Sequence, residues 1–179
     1  MELEETSIQG AYLIKHQSFS DDRGLFYEMV AQDVLNGVDS PELNKINISE
    51  SNYGVLRGLH YQIKEPQIKF VSCLKGKVID FAVDIRKHSS SFGEVIQYEL
   101  TEEEPETLYL PLGVAHGFIS LSERSLLLYL VSGIYNNKLE RGINYKSIDL
   151  NLPIEPILIN KRDANWPNFD EAEYYENKI

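Results

Sequence analysis

The chain has 179 residues, of which 42% are hydrophobic, and a formal net charge of -11 at pH 7. The length predicts one domain, residues 1–179, with a sizeable core. The acidic balance excludes a nucleic-acid partner, because phosphate contacts need clustered lysine and arginine. No apolar run approaches the roughly 20 residues that span a bilayer, and the polar N-terminal residues do not have the pattern of a signal peptide, so we expect no membrane partner and a cytoplasmic protein.

Short apolar runs separated by turn residues fill the middle of the chain. Before them, Ala31 to Asn36 predicts a short helix, and the acidic tail from Asp170 to Glu176 predicts another. Six strands are predicted at Lys69–Leu74, Lys77–Ile85, Glu94–Leu100, Thr107–Pro111, Gly117–Leu121 and Leu126–Val131. Such spacing is typical of an antiparallel sandwich or barrel. The only cysteine, Cys73, lies in an apolar run and is expected to be a buried, inert thiol.

The stretch from Gly54 to Lys69 reads GVLRGLHYQIKEPQIK and interleaves apolar with polar side chains. A barrel strand here would direct Arg57, His60 and Lys69 towards a shared cavity or rim. A general base flanked by two cations suits an anionic substrate that must lose a proton. The ordinary alternative is a surface strand that carries a half-buried histidine.

A second motif, PLGVAHGF, places His116 between two glycines at the start of an apolar strand. Together with the spacing Gly54-x5-His60-x-Gln62, it resembles the two short motifs of the cupin superfamily. The resemblance implies an all-β fold, a cupin-type double-stranded β-helix or jelly roll, with a few short helices. The C-terminal region from Leu150 is expected to pack back on this barrel.

Most cupins bind a metal through a His-x-His pair, a glutamate and a final histidine. Here Gln62 replaces the second histidine, and Lys69 stands at the glutamate position. A protonated lysine cannot ligate a metal, so only His60 and His116 remain of the set. The resemblance therefore implies a site without a metal, and we expect no other cofactor.

Longer pieces of the chain resemble the dTDP-4-dehydrorhamnose 3,5-epimerase family, in the family's order. They are DDRGLFYE, NISESNYGVLRGLHYQ, KFVSCLKGKVIDFAVDIRKHSSSFG, PLGVAHGF and LYLVSGIYNNKLERGINY, and the resemblance runs from about Ile14 to Asp163. It implies an enzyme that inverts C3 and C5 of a nucleotide-linked 4-keto-6-deoxyhexose by proton abstraction and reprotonation. The implied reaction converts dTDP-4-dehydro-6-deoxy-D-glucose to dTDP-4-dehydro-L-rhamnose, on the route to L-rhamnose.

The resemblance also implies catalytic roles. His60 matches the base, and Asp163 the aspartate that orients it. Lys69 would stabilise the charge on the 4-oxygen of the sugar, and Tyr129 would deliver a proton from the face opposite His60. Without the resemblance, Asp163 reads as a surface turn residue, Lys69 as a solvated strand-end lysine and Tyr129 as a core tyrosine.

Substrate-binding roles follow in the same way. The resemblance places Arg57 at the diphosphate, Tyr135 on the base, and Asn47 and Ser49 at polar contacts with the ligand. His116 is implied at the sugar ring or carbonyl. The alternatives are core packing for Tyr135 and a structural hydrogen bond to the neighbouring strand for His116.

Three further residues, Arg23, Phe26 and Glu28, match positions that reach the ligand from a partner subunit. They imply a homodimer as the active unit. The alternative for Phe26 is packing in the protein's own core.

The chain departs from the family where Lys45 stands in place of glutamine. Leu112 and Val114 also replace the usual glutamate and phenylalanine of a PEGFAHGF pattern. Three other functions stay open: inversion at C3 or C5 alone in another deoxysugar pathway, non-catalytic binding of a nucleotide sugar, and metal-dependent oxygenation. Gln62 and Lys69 argue against the last of these.

Overall fold

The protein is described by a computed structural model that covers residues 1–30, 32–38 and 43–176. Those residues form fourteen β-strands, one α-helix and three short 3-10 turns. The strands are β1 (Glu2–Glu5), β2 (Tyr12–Lys15), β3 (Ser18–Asp21), β4 (Gly24–Tyr27), β5 (Leu43–Asn52), β6 (Val55–Gln62), β7 (Lys69–Lys75), β8 (Lys77–Asp84), β9 (Val95–Thr101), β10 (Glu106–Leu110), β11 (Val114–Ser120), β12 (Arg124–Ser132), β13 (Glu140–Gly142) and β14 (Leu158–Ile159). The helix α1 spans Gln32–Gly37, and the 3-10 turns are Tyr145–Ser147, Asp163–Asn165 and Phe169–Glu171.

All six strands predicted in the middle of the chain are present as β7 to β12. Their observed ends differ from the predicted ends by at most three residues. The first predicted helix corresponds to α1, although its first residue, Ala31, lies outside the described residues.

The helix predicted over Asp170–Glu176 is wrong. A 3-10 turn ends at Glu171, and the backbone then runs extended beside the end of β8. The amide of Tyr175 donates to the carbonyl of Ile85 at 2.9 Å, and its carbonyl accepts from the amide of Lys87 at 3.0 Å. The tail has no apolar stripe of helical period to bury, so pairing with the barrel decides its conformation.

The strands form two facing sheets. The first sheet has the order β1-β2-β10-β7-β12-β5, and the second has the order β13-β6-β11-β8-β9 with β14 alongside β6. All pairs of named strands are antiparallel except β14 with β6. This arrangement confirms the predicted all-β class.

The main core lies between the two sheets. Val71 and Leu108 enter it from the first sheet, and Ala82 and Phe118 enter it from the second. Cys73 belongs to this core as a free, buried thiol, as expected. Alternation along each strand explains the arrangement, because every second side chain points into the interior.

Both outer faces are partly covered. Leu35 and Val38, in and just after α1, pack on Phe70 and Tyr109 outside the first sheet. The C-terminal segment packs on the outside of the second sheet and adds β14 to β6, as expected for the region from Leu150. Within the parts of the chain that the structure describes, no helix is long and apolar enough to cross a membrane.

Candidate active site

A cavity of about 280 Å³ opens between the two sheets. Its walls carry eight of the predicted site residues: Asn47, Ser49, Arg57, His60, Lys69, His116, Tyr129 and Tyr135. Lys45, Gln62, Gln67 and Glu140 also line it. The structure therefore brings the predicted base, cation and acid to one place.

A β-bulge in β6 brings Arg57 and His60 to the same cavity. His60 pairs with His116 and Arg57 pairs with Phe118, so three steps on β6 oppose two steps on β11. Residues three apart on a regular strand point to opposite faces, and the extra residue restores a common face. Gly58 occupies the bulge with a φ of +125°, and a Cβ there would collide with the backbone of Gly117.

His60 and Asp163 form a hydrogen-bonded pair. The Nε2 atom of His60 donates to Oδ1 of Asp163 at 2.7 Å, and the amide of Gly58 donates to Oδ2 at 3.1 Å. Burial alone would raise the pKa of Asp163, but the His60 and Gly58 hydrogen bonds and the nearby Arg162 hold the pKa below its usual range. An ionised Asp163 only accepts, so Nε2 carries the hydrogen and Nδ1 is left with the lone pair of a base.

Lys69 reaches across the cavity from the first sheet to the second. Its Nζ atom donates to the backbone carbonyl of His60 at 3.1 Å. Burial lowers the pKa of Lys69 to about 8, against the smaller raising effect of the Asp80 and Glu140 carboxylates. The ammonium therefore persists at neutral pH within the cavity, where charge interactions are weakly screened.

We expect an alkaline limit on kcat/KM with a midpoint near pH 8. The Lys69 ammonium is present below its pKa of about 8 and is lost as the pH rises through that value. The limit should disappear in Lys69→Arg, because arginine stays charged up to about pH 12. Initial rates across the pH range measure both effects, with Lys75→Arg, an exposed position on the same strand, as the control. An unchanged limit in Lys69→Arg would assign the titration to another group.

His116 is an uncharged side chain in the wall of the cavity. Its Nε2 atom donates to both carboxylate oxygens of Asp80, at 2.8 and 2.9 Å. Burial lowers the pKa of His116, and this effect outweighs the raising effect of Asp80. Asp80 lies on the neighbouring strand β8, so His116 makes the structural hydrogen bond to a neighbouring strand that was the alternative to a ligand contact. Its ring also lines the cavity.

Tyr129 lies on the wall opposite His60. It belongs to β12 in the first sheet, whereas His60 belongs to β6 in the second. Burial raises the pKa of Tyr129, and the Asp80 carboxylate raises it further, so the phenol keeps its proton. Its ring meets the His116 ring edge to face, with 5.9 Å between centroids. The predicted base and the predicted proton donor thus line the cavity from facing sheets.

Cations and one aromatic ring occupy the outer part of the cavity. Arg57 is held at the rim by donation from Nε to the Ser51 hydroxyl and from Nη2 to the Glu50 carbonyl, each at 3.0 Å. The Nζ atom of Lys45 lies 5.2 Å from the centre of the Tyr135 ring. This contact explains the position of the Lys45 side chain, since a lysine ammonium is attracted to an aromatic face.

The hairpin of β3 and β4 stands apart from the cavity. These strands pair only with each other among the described strands, and Arg23, Phe26 and Glu28 do not line the cavity of their own subunit. Phe26 is 67% exposed, so its alternative as a core residue is wrong. The Arg23 side chain is 90% exposed and bonds only locally, to Asp21, among its described contacts.

Four residues at the site were missed by the sequence prediction: Gln67, Asp80, Glu140 and Trp166. Asp80 had a signal, because it is a carboxylate with apolar residues on both sides of it in β8. Gln67 had one too, since it precedes Lys69 by two residues and alternation puts both on one face. Glu140 accepts hydrogen bonds from Tyr135 and Arg162. Trp166 meets the His60 ring edge-on at 6.4 Å, which only the folded chain reveals.

The positions that most cupins use for a metal are engaged otherwise here. The amide of Gln62 donates to the carbonyls of Glu65 and Ile134 and accepts from the amide of Asn136. These hydrogen bonds connect the loop after β6 to the loop after β12. No group of three or more histidine, cysteine or acidic side chains among residues 1–30, 32–38 and 43–176 is arranged to hold a metal ion.

Comparison with known proteins gives consistent matches over nearly the whole chain. The family model for dTDP-4-dehydrorhamnose 3,5-epimerase matches residues 5–171. The dTDP-4-dehydrorhamnose 3,5-epimerase of Shigella flexneri is 38% identical, over 98% of this chain and 99% of its own.

Comparison with solved structures gives the same result. The RmlC epimerase of Legionella pneumophila, in complex with dTDP-4-keto-L-rhamnose, superposes with a TM-score of 0.93 at 30% identity, covering 99% of each chain. ChmJ of Streptomyces bikiniensis, a 3'-monoepimerase in complex with dTDP-quinovose, gives a TM-score of 0.82 at 30% identity, covering 91% of this chain and 85% of its own. These similarities confirm the predicted cupin-type jelly roll.

Proposed function

Because this chain belongs to the dTDP-4-dehydrorhamnose 3,5-epimerase family, we propose that it inverts C3 and C5 of dTDP-4-dehydro-6-deoxy-D-glucose to give dTDP-4-dehydro-L-rhamnose. One observation carries the proposal. His60 and Tyr129 line one cavity from facing sheets, and Lys69 spans it between them. Inversion at a carbon needs proton removal from one face and proton delivery to the other, and this geometry supplies both.

The 4-keto group makes the hydrogens on its two neighbouring carbons acidic. In the proposed reaction, Nδ1 of His60 takes one of these protons and becomes an imidazolium, which Asp163 stabilises. The electron pair moves onto the 4-oxygen, and the Lys69 ammonium offsets the enolate charge. Tyr129 then protonates the same carbon from the opposite face. The two residues exchange protons with solvent before the step repeats at the other carbon.

The proposed chemistry requires no metal and no other cofactor. Lys69 supplies, as a fixed cation, the charge stabilisation that a metal would supply to an enolate. The donor chemistry supports this assignment, because the amide of Gln62 is engaged with three backbone groups. The proposal therefore rests on the residues of the cavity alone.

The remaining cavity residues are of the types that bind a nucleoside diphosphate. We assign Arg57 to the diphosphate, where a guanidinium fork matches phosphate oxygens, and Asn47 to polar contacts. His116 would contact the sugar ring or its carbonyl. Tyr135 would stack on the thymine base with the face that Lys45 leaves free. The dTDP 4-keto sugar is thus the proposed substrate and partner.

The exposed hairpin supports a homodimer. Arg23, Phe26 and Glu28 would then complete the partner's ligand site, and Phe26 would lose its large exposed apolar surface. A monomer mass by light scattering would contradict this assembly. We also propose that residues 1–179 are one domain and that the enzyme works in the cytoplasm, where the free thiol of Cys73 stays reduced.

Proton NMR in heavy water tests the proposed function. The purified protein is mixed with the dTDP 4-keto sugar, and deuterium entry at each carbon is followed with the stereochemistry of the product. Exchange and inversion at both C3 and C5 are expected. Exchange at one carbon alone would favour a monoepimerase, the second candidate, which the similarity to ChmJ supports. Absence of exchange would leave a nucleotide-sugar-binding protein.

A further inference from the structure

Gln67 carries an unpaired hydrogen-bond donor at the active site. Its side chain lines the same cavity as His60 and Lys69. Its Nε2 atom is buried and has no hydrogen-bond partner within the described part of the chain. A buried donor without a partner is costly, so an acceptor from outside the chain is the natural complement to this amide.

The position of Gln67 is fixed by the residue that follows it. The amide of Ile68 donates to the Ser132 hydroxyl at 2.9 Å, and the Ser132 amide donates back to the Ile68 carbonyl. Ile68 is 1% exposed and packs in the cluster outside the first sheet. Anchoring Ile68 outwards directs the side chain of Gln67 inwards, as alternation along an extended chain requires.

The neighbours of Gln67 indicate what the acceptor is. Lys69 lies two residues further along the same face, and side chains so spaced are about 7 Å apart at their bases. An oxygen atom held between their ends would accept from both. A carbonyl oxygen has two lone pairs, so the Lys69 ammonium satisfies one and leaves the other for the amide.

We infer that Gln67 is a further catalytic residue, which donates a second hydrogen bond to the 4-oxygen of the sugar beside Lys69. This inference rests on the proposed function. The 4-oxygen carries little charge in the ketone and nearly a full charge in the enolate, so the hydrogen bond strengthens as the proton leaves. Such a donor raises kcat more than it lowers KM.

The test compares Gln67→Met with Gln97→Met. Methionine keeps the length of glutamine and removes the donor. Gln97 is a partly buried glutamine outside the cavity whose amide donates to the Asn151 carbonyl and accepts from its amide, at 2.7 and 3.1 Å. Rates of deuterium entry at C3 and C5 are measured against the concentration of the dTDP 4-keto sugar, with melting temperatures for all proteins.

In Gln67→Met we expect kcat to fall on the order of 10²–10³-fold at both carbons, as for other oxyanion donors, with KM changed less than about threefold. Gln97→Met should keep wild-type kcat. Gln67→Glu keeps the size and polarity of the side chain and provides a second variant if methionine impairs folding; it should lose at least as much activity.

Failure of the proposed function and failure of the inference on Gln67 give different results. If the wild-type protein exchanges neither carbon, the proposed function itself fails. If the wild-type protein exchanges both carbons and folded Gln67→Met or Gln67→Glu retains kcat within about threefold, the inference alone is overturned, even if KM rises. In that case the amide faces a water, for which the small adjoining cavity of about 10 Å³ has room for one at most.

Discussion

Replacing His60 with alanine is expected to remove deuterium entry at both C3 and C5 while the protein stays folded. In the proposed mechanism the His60 imidazole is the base for both carbons, and the hydrogen bond from its Nε2–H to Asp163 leaves Nδ1 to take the proton. Loss of a positioned general base typically costs on the order of 10²–10⁴-fold in rate. Exchange followed by proton NMR in heavy water measures the loss at each carbon separately.

A second histidine provides the control for this variant. His88 is exposed in the turn after β8 and does not line the cavity, so His88→Ala should exchange at the wild-type rate. Asp163→Asn should cause a smaller loss than His60→Ala, because the base remains but its tautomer is no longer fixed. Near-normal exchange in His60→Ala would remove His60 from the role of base.

Replacing Tyr129 with phenylalanine is expected to separate exchange from inversion. His60 and Lys69 lie on β6 and β7 and remain intact, so the enolate still forms and deuterium still enters. The phenol proposed to supply the proton from the opposite wall is gone, and epimerised product should fall on the order of 10²-fold or more. Product stereochemistry and deuterium content, read from the same spectra, give the two rates.

Tyr98→Phe is the matched control, because Tyr98 also packs half-buried against the main core but lies outside the cavity. It should leave both rates unchanged. If Tyr129→Phe lost exchange and inversion equally, Tyr129 would act before the enolate forms or would serve only to shape the cavity.

The strands in the middle of the chain were predictable because their signal is local. Each is a short run of β-branched, aromatic and aliphatic residues, and turn residues such as Gly76 and Gly113 separate the runs. Other strands carry no such signal. The strand β5 reads LNKINISESN and is largely exposed, and it is a strand because β12 pairs with it along its length. The prediction of a helix in the acidic tail was wrong for the same reason, since pairing with the end of β8 decides the conformation of its backbone.

The chemistry of the site was predictable from residue types and from the family resemblance, but its geometry was not. Residue identity determined that a histidine, a lysine and a tyrosine were available and that Gln62 and Lys69 stood at the metal positions of a cupin. The resemblance implied that Asp163 orients His60, and the fold supplied the geometry by bringing the two side chains, 103 residues apart in the chain, to 2.7 Å. Only the bulge at Gly58 turned Arg57 and His60 to one face, against the strict alternation of a regular strand. Side-chain periodicity is a property of a few consecutive residues and can be read from them, whereas register and bulges arise from pairing between distant strands. Only the folded chain likewise shows that Nε2 of Gln67 has no partner among the described residues.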